Sequence, residues 1–352
     1  MFALRIVGGI FAAALLVVAV VRYRRRNISR LNLLITWTLG VALVLLAIAP
    51  VVFQPLFDAF NFGKKGSGLR LIAVGLFGLL VVLALQVRTM SNTDQNERAV
   101  RLLVEALAVQ TFEAERARLG DRLPAGECIV AVSPAFNEAE NIADVIRAIP
   151  ETIEGYPVVA IVVDDASSDG TAEVARAAGA IVVRNPIRRG GGLALRVGYD
   201  VAAMLNAVVV VSLDADGQHI PEEMPVLVKP VLAGDADMVN GSRLLGDFER
   251  ESVVRHVGVH FFSRMVTVMT GQRITDPSSG YRATRAEILK NFVLKQDQFW
   301  TSELLIEALR HRSTIIEVPI TIRARAGGKS KKPKSLKYGW NFSKAIIQTW
   351  LR

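Results

Sequence analysis

The sequence predicts an α/β domain with a mostly parallel sheet, preceded by an N-terminal bundle of transmembrane helices. From residue 126 onward, nearly all-apolar strands alternate with amphipathic helices, which is typical of a parallel sheet covered on both faces. Before it, three apolar runs of about 20 residues occupy 2–21, 31–53 and 69–87, each long enough to cross roughly 30 Å of hydrocarbon as a helix. We expect four segments: a membrane domain of three transmembrane helices at 1–90, a linker helix at 91–125, the α/β domain at 126–330 and a basic amphipathic tail at 331–352 that lies at the lipid interface.

Composition favours a membrane and an anionic partner. Of the 352 residues 51% are apolar, and the formal net charge is +9. Because the basic clusters adjoin apolar segments, lipid headgroups and phosphorylated substrates are better candidates for this partner than nucleic acid. Cys128 is the single cysteine, which excludes an internal disulfide and argues against export.

Basic residues set the expected membrane topology. The loop after the first apolar run is crowded with arginines, namely Arg22, Arg24, Arg25, Arg26 and Arg30. The loop after the second run carries only Lys64, Lys65 and Arg70. The positive-inside rule therefore places the first loop and everything after residue 87 in the cytoplasm, with the N-terminus outside the plasma membrane.

Residues 92–119 are typical of one polar helix with two open interpretations. An apolar series falls near a/d spacing: Val100, Leu103, Leu107, Ala114 and Ala117. This series either forms a short coiled coil that joins protomers of a homo-oligomer or packs on the chain's own α/β domain. We favour the second, because a coiled coil needs at least three to four heptads.

The α/β domain begins with the strand "CIVAVSPAF" and the amphipathic helix "NIADVIRAI". Two further strand and helix pairs follow, "VVAIVVDDA" with "TAEVARAAG" and "AIVVRN" with "GLALRVGYDVAAML", and "AVVVVSL" is the fourth strand. Ligands of such sheets bind beyond the carboxyl ends of the strands, where this chain carries "PAFNE", "DDASSDG", "NPIRRGGG" and "DADGQH".

Two D-x-D pairs are candidate metal sites. Asp214 and Asp216 follow a strand, whereas Asp235 and Asp237 precede the short strand "MVNGS" and belong to the opposite edge. The first pair suits a divalent cation bound to a diphosphate. A dinucleotide fingerprint is not supported, because Leu195 stands where the third glycine would be, and the sequence contains no Walker A motif.

A series of six motifs resembles the family 2 glycosyltransferases over roughly residues 126–332. These motifs are "SPAFNEAENI", "VVDDASSDGT", "DADGQH", "NGSR", "DPSSGYRATR" and "IIEVPITIRARAGGKSK". The series is most similar to dolichol- and polyprenyl-phosphate mannosyl- and glucosyltransferases. That resemblance implies a GT-A fold, a UDP- or GDP-hexose donor, a polyprenyl phosphate acceptor, and an inverting transfer at the cytoplasmic membrane face.

The resemblance also implies roles for individual residues. The nucleotide-sugar pocket would be formed by Pro134, Ala135, Glu138, Asp164, Asp165 and Asp214. Mg²⁺ or Mn²⁺ would be held by Asp214 and Asp216, with Gln218 as a third ligand. The acceptor phosphate would meet Arg243 and Arg255, and catalysis would depend on Asp216, Asp276 and Arg243. The chain departs from many relatives at Gly191, where they carry a lysine.

A lipid phosphate acceptor simplifies the expected chemistry. The second pKa of a simple phosphate ester is about 6, so the acceptor is largely ionised at neutral pH and is already a nucleophile. The protein then has to position the phosphate and to stabilise the departing diphosphate, and no general base is required.

Several residues keep two interpretations. Asp164 and Asp165 form a nucleotide site or cap a helix, and His219 is a metal ligand or a hydrogen-bonded loop residue. Asp276 orients a substrate or caps a turn, and Glu303 faces the site or solvent. The tail, with its stripe of Lys337, Asn341, Lys344, Gln348 and Arg352, lies on anionic lipid or packs on the domain.

Two other functions compete with lipid-phosphate glycosylation. A processive polysaccharide synthase should show a Q-x-x-R-W motif, which the sequence lacks. A catalytically inactive, membrane-anchored scaffold that binds nucleotide sugar is disfavoured by the intact pair of Asp214 and Asp216 and by the arginine of "NGSR".

Overall fold

The computed structural model describes residues 2–24, 30–48, 67–120, 123–246, 253–323 and 335–351. The chain divides into two compact units, one comprising Met1–Val100 with Leu351–Arg352 and the other Arg101–Trp350.

The first unit contains α1 (Phe2–Arg24), α2 (Arg30–Ile48) and the beginning of α3 (Ser67–Leu119). Helices α1 and α2 pack closely, since a Cβ added at Gly40 would lie 2.5 Å from Cδ2 of Leu16. No helix within the described ranges has the length and apolar character required to cross a membrane. The predicted transmembrane bundle is therefore not supported. Its third apolar run is not a separate helix. It is the start of α3, a single helix of 53 residues whose second half is polar.

The second half of α3 packs on the α/β domain. Val104, Ala108 and Phe112 are buried in the core beneath it. The predicted stripe lies on the neighbouring face, where Leu103 and Leu107 are exposed. The prediction that this helix packs on the chain's own domain is confirmed. The predicted buried face was wrong, because it did not include Phe112, and the side of the helix that carries Phe112 is the one that is buried.

Eight strands form one mixed sheet in the order β2-β3-β1-β5-β7-β6-β8, with β4 paired to β3. The strands are β1 (Cys128–Ala135), β2 (Thr152–Ile153), β3 (Tyr156–Asp164), β4 (Ile181–Arg184), β5 (Ala207–Ser212), β6 (Met238–Ser242), β7 (Arg282–Arg285) and β8 (Ile315–Pro319). The strands β4, β3, β1 and β5 are parallel, as predicted, while β7 is antiparallel to β5 and β6. The loop before β7 thus reaches the carboxyl edge of the parallel strands.

Helices cover both faces of the sheet. They are α4 (Ile142–Arg147), α5 (Thr171–Ala177), α6 (Gly191–Met204), α7 (Met224–Leu232), α8 (Val253–Thr270), α9 (Ala286–Leu289), α10 (Trp300–Arg310) and α11 (Ser335–Trp350). Alternate residues of β5 point to opposite sides: Val210 packs with Leu193 of α6, and Val211 packs with Leu227 of α7. Burying an aliphatic side chain of this kind contributes about 1.5–3 kcal/mol, so both layers hold the sheet in place.

The C-terminal helix α11 packs on the α/β domain through Phe342, Ala345 and Ile346. The ring of Phe342 lies 4.4 Å, centroid to centroid, from that of Phe262 on α8. The structure therefore shows the packed helix, whereas the sequence favoured a helix lying at the lipid interface; Phe342 and Ile346 face the domain core and not lipid. Lys344 remains exposed on its outer face, and residues 331–334 lie outside the described ranges.

Candidate active site

Loops from six strands meet at the carboxyl edge of the sheet, and the loop that precedes β7 joins them there. Because parallel strands end at a common edge, segments far apart in sequence become neighbours. The predicted pair Asp164/Asp165 lies at the end of β3, and the pair Asp214/Asp216 follows β5 at the same edge, as the motif positions implied.

Asp164 ends β3 and is completely buried. Its Oδ1 accepts a hydrogen bond from the backbone N–H of Ser167 at 3.0 Å, and its Oδ2 lies 3.1 Å from Nε of Arg184 at the end of β4. The helix that follows, α5, has Gly170 at its N-cap, and its Thr171 donates to Asp169. Asp164 and Asp165 are therefore not caps of α5.

Asp165 organises the glycine loop, residues 185–192. Its Oδ2 accepts from the backbone N–H of Gly190 at 2.6 Å, and its Oδ1 accepts from the N–H of Arg189 and from Nδ2 of Asn185, both at 3.0 Å. The carboxylate that was expected to meet the nucleotide is thus occupied by the chain itself. Asp165 thereby fixes the backbone of Arg189 and Gly190 next to the predicted nucleotide pocket.

Glycines let this loop approach a segment that the sequence pattern did not identify. Gly190 has φ 113°, and a Cβ there would overlap the carbonyl oxygen of Asp297; a Cβ at Gly192 would overlap that of Gln296. The N–H of Gly192 donates to the carbonyl of Asp297 at 2.9 Å. In turn, both oxygens of Glu303 accept backbone N–H groups of residues 295 and 296, at 2.8 Å each. Glu303 is fully buried, so it faces neither solvent nor the predicted nucleotide pocket. Its carboxylate instead holds the backbone of residues 295 and 296 in place.

The loop after β1 carries Pro134, Ala135 and Glu138. The N–H of Glu138 donates to Oγ1 of Thr171 at 2.8 Å, and its Oε2 accepts from Nδ2 of Asn141 at 3.1 Å. Glu138 is buried, and its backbone hydrogen bond ties the loop after β1 to the start of α5, which follows β3.

Asp214 and Asp216 follow β5 in a short turn. The carboxylate of Asp214 is partly exposed and accepts no hydrogen bond from the described residues, while Oδ1 of Asp216 accepts the N–H of Gln218 at 3.2 Å. Nδ1 of His219 accepts the backbone N–H of Asp214 at 3.1 Å, and its ring packs on Tyr281. His219 is thus a hydrogen-bonded loop residue, the second of the two predicted alternatives.

These two carboxylates fit a divalent cation. Asp214 offers a partly exposed carboxylate with unused lone pairs, and hard oxygen donors are what Mg²⁺ and Mn²⁺ prefer. Among the described residues no group of three His, Cys, Asp or Glu side chains forms a complete metal cage. A cation at this turn would therefore need diphosphate oxygens and water as its remaining ligands. The Nε2 of Gln218 donates to the carbonyl of Arg323 at 3.3 Å.

Arg243 follows β6 and is aimed by the loop before β7. Its Nε donates to Oδ2 of Asp276 at 2.6 Å, and its Nη2 donates to Oγ of Ser278 at 3.3 Å. No described residue meets its Nη1. Asp276 is fully buried, and its carboxylate holds the side chain of Arg243. The same loop reaches Asp214, because a Cβ added at Gly280 would lie 2.9 Å from Oδ1 of that residue.

A buried polar cluster that the sequence pattern missed supports this loop. Oε1 and Oε2 of Glu317 accept the N–H groups of Asp276 and Thr275, at 3.2 and 2.7 Å. Nε of Arg282 donates to Oδ1 of Asn240 at 2.7 Å, and burial lowers the pKa of Arg282 to about 10. The signal for Arg282 is its place at the start of β7, because Tyr281 before it and Ala283 after it pack in one core layer, and the residue between them must face the other.

Two predicted residues remain, Arg255 and Asp237, and they lie in different parts of the fold. Arg255 lies on α8, and its side chain is outside the described structure. Asp237 precedes β6 at the opposite edge, as predicted, where it pairs with Arg285 at 3.3 Å and accepts the N–H of Thr314 at 2.9 Å.

The mixed sheet, with an acidic turn after β5, is the fold of a GT-A glycosyltransferase. A family model described as Glycosyl transferase family 2 matches residues 130–293. An uncharacterized protein of Methanocaldococcus jannaschii is 37% identical over 197 residues, which cover 54% of this chain and 80% of that protein. The chain belongs to glycosyltransferase family 2 and is a glycosyltransferase.

Two further relatives indicate the kinds of substrate found among similar proteins. The undecaprenyl-phosphate mannosyltransferase of Micrococcus luteus is 31% identical over 214 residues, 58% of this chain and 86% of that protein. The glucosyl-3-phosphoglycerate synthase of Mycobacterium tuberculosis, crystallised with Mn²⁺, UDP and glucosyl-3-phosphoglycerate, superposes with a TM-score of 0.51 at 27% identity. That superposition covers 68% of this chain and 81% of the other.

Proposed function

We propose that the chain transfers a hexose from a UDP- or GDP-hexose to a polyprenyl phosphate, with inversion at the anomeric carbon. The observation that carries this proposal is the juxtaposition made by residues 276–280. One end of that loop holds Arg243 through Asp276, and the other end lies against the carboxylate of Asp214. An arginine suited to a phosphate and a carboxylate suited to a cation on a diphosphate therefore lie on either side of one short segment.

Arg243 is suited to an acceptor phosphate. Its guanidinium is fixed on one side by Asp276 and Ser278, and its Nη1 has no partner among the described residues. Guanidinium groups bind phosphate with directed hydrogen bonds, so a restrained arginine can orient the phosphate oxygen that attacks the sugar. Because that oxygen is already ionised, Arg243 has to orient it and no side chain has to remove a proton.

The donor side is formed by the loops after β1, β3 and β4. Asp165 fixes the backbone of the glycine loop, and Glu138 fixes the β1 loop, so the walls of a nucleotide pocket are set before the ligand arrives. Such preorganisation lowers the entropy lost when the donor binds. A divalent cation at Asp214 and Asp216, when bound, would neutralise charge on the leaving diphosphate.

We further propose that the enzyme works at the cytoplasmic face of the plasma membrane, because its acceptor is a lipid. The arginine-rich segment after the first apolar run and the exposed Lys344 on α11 support a location beside anionic lipid. Membrane fractionation of cells that express the chain tests this location, and recovery in the supernatant without detergent would contradict it.

The substrate proposal is tested with a panel of donors and acceptors. UDP- and GDP-linked glucose, mannose and N-acetylglucosamine are each incubated with polyprenyl phosphate and Mn²⁺ or Mg²⁺, and the lipid product is identified by mass spectrometry. A polyprenyl-phosphate hexose is expected from one donor class. Products with repeated sugars would instead indicate a processive synthase, and nucleotide binding without product would indicate a scaffold.

A small phosphorylated acceptor is the second candidate. The solved neighbour that was crystallised with glucosyl-3-phosphoglycerate shares the fold over 68% of this chain, and a phosphorylated acceptor suits Arg243 as a lipid phosphate does. Adding 3-phosphoglycerate to the panel separates the two, since a preference for it over polyprenyl phosphate would exclude the lipid as the main acceptor.

A further inference from the structure

Ion pairs join the second half of α3 to the glycine loop through Arg196 of α6. Nε of Arg196 donates to Oε1 of Glu105 on α3 at 2.9 Å, and its Nη2 donates to Oδ1 of Asp297 at 2.8 Å. The other oxygen of Asp297 accepts from Nε and Nη2 of Arg189, at 3.1 and 2.6 Å. We call this Glu105–Arg196–Asp297–Arg189 arrangement the charge series, and it leads from the helix to the loop.

The side chains of the charge series are mostly buried, so the strength of their ion pairs depends on the exact placement of the charged groups. The exposed fraction of its side chains is 10% for Arg196, 18% for Glu105, 20% for Asp297 and 24% for Arg189. Its charges alternate in sign, and partly buried pairs are screened by salt much less than exposed pairs. Arg101, one turn before Glu105, adds a cation whose Nε is buried without a partner among the described residues. Displacing either carboxylate would leave charges uncompensated at low exposure.

The glycine loop depends on external contacts for its shape. Its three consecutive glycines have wide conformational freedom, and the loop would sample many shapes on its own. Asp165 holds the backbone of Arg189 and Gly190 from one side, while Asp297 holds the side chain of Arg189 from the other. The two acids act together, but only Asp297 is connected to α3.

We propose that Glu105 and Asp297 are positioning residues that hold the glycine loop ready to receive a nucleoside diphosphate. The inference rests on the proposed function in one respect, because it assigns this loop to the donor. Glu105 lies on the half of α3 that belongs to the second unit. That half of the helix, which precedes the first strand of the sheet, would then contribute directly to the order of the donor loop.

The test compares Asp297→Asn and Glu105→Gln with the matched control Glu113→Gln. Glu113 lies on the same helix but is exposed, and within the described ranges it has no hydrogen bond or ion pair. The dissociation constants of UDP and GDP, each with Mn²⁺, are measured by calorimetry, and the amide exchange of residues 186–192 is measured by mass spectrometry. Loss of the charged acceptor in Asp297→Asn should weaken nucleotide binding about tenfold or more and speed exchange in the loop.

Glu105→Gln should produce a smaller change of the same kind, about threefold in binding, because Arg196 keeps its contact with Asp297. Donor KM should rise in both variants while acceptor KM is unchanged, a separation that general destabilisation would not give. If Asp297→Asn does not fold, Glu105→Gln and Arg189→Lys decide the question.

The inference would be overturned if Glu105→Gln and Arg189→Lys showed the same amide exchange in the glycine loop and the same nucleotide dissociation constants as Glu113→Gln. If the unmodified protein binds neither nucleotide, the proposed donor site fails, and the exchange comparison still decides whether the charge series orders the loop.

Discussion

Gly280→Ala is the substitution whose effect can be worked out most directly from distances. The added Cβ would lie 2.9 Å from Oδ1 of Asp214 and 3.3 Å from its Cγ, whereas ordinary contacts begin at 3.4 Å. The backbone of Gly280 cannot easily retreat, because its carbonyl accepts a hydrogen bond from Oγ of Ser212 at 2.8 Å. The carboxylate of Asp214, which has no hydrogen bond to the described residues, should therefore turn away.

Gly280→Ala should affect the stability of the domain only slightly and its activity strongly. Turning the side chain by about 30° costs about 0.5–1.5 kcal/mol, so the domain should remain folded. A carboxylate turned out of place should bind a divalent cation more weakly, and we expect a loss in kcat/KM of about 10- to 100-fold at limiting Mn²⁺. The assay is a Mn²⁺ titration of hexose transfer, in which excess Mn²⁺ should restore part of the rate.

Gly126→Ala is the matched control, because a Cβ at Gly126 meets nothing within 4 Å. It should show the Mn²⁺ dependence of the unmodified enzyme. The reasoning is refuted if Gly280→Ala also keeps that dependence and rate, since Asp214 would then not be a group whose position matters to the reaction.

Three further substitutions test other parts of the account. Arg243→Lys should raise the KM for polyprenyl phosphate about tenfold, because lysine cannot contact Asp276 and the acceptor at once, with donor KM unchanged; a change in donor KM alone would contradict the assignment. Glu317→Gln should lower the free energy of unfolding by about 1.5–3 kcal/mol in urea, since a charged acceptor of two backbone N–H groups is lost; unchanged stability would show that the cluster is not a support. Lys344→Glu should raise the apparent KM for lipid acceptor in anionic vesicles, as one basic residue beside such a surface contributes about 1 kcal/mol; equal kinetics at low salt would remove α11 from the lipid surface.

The parallel half of the sheet could be predicted because its strands are continuous apolar runs with polar ends. The same pattern separated Asp214 and Asp216 from the pair at Asp235 and Asp237, since the first pair follows a strand and the second precedes one. These predictions need only local periodicity and the direction of the chain.

The supporting residues could not be predicted in this way, because their roles arise from contacts between distant segments. Glu303 looks like a helical surface residue in sequence, yet it is buried and binds the backbone of a preceding loop. Asp297 lies in a segment without a periodic pattern and meets Arg189, 108 positions earlier. The transmembrane prediction rested on hydropathy alone, which did not show that the third run continues as α3.

The most direct test of the central claim is the initial rate of hexose transfer to polyprenyl phosphate by Asp216→Asn and Asp235→Asn, measured across a Mn²⁺ titration. Asparagine keeps the shape of aspartate and removes its charge, so Asp216→Asn should fold normally and lose on the order of 100-fold or more in rate. Asp235 is exposed at the opposite edge, and its variant should match the unmodified enzyme. A near-normal rate for Asp216→Asn, or transfer undiminished by excess chelator, would contradict the assignment of this turn to the leaving diphosphate.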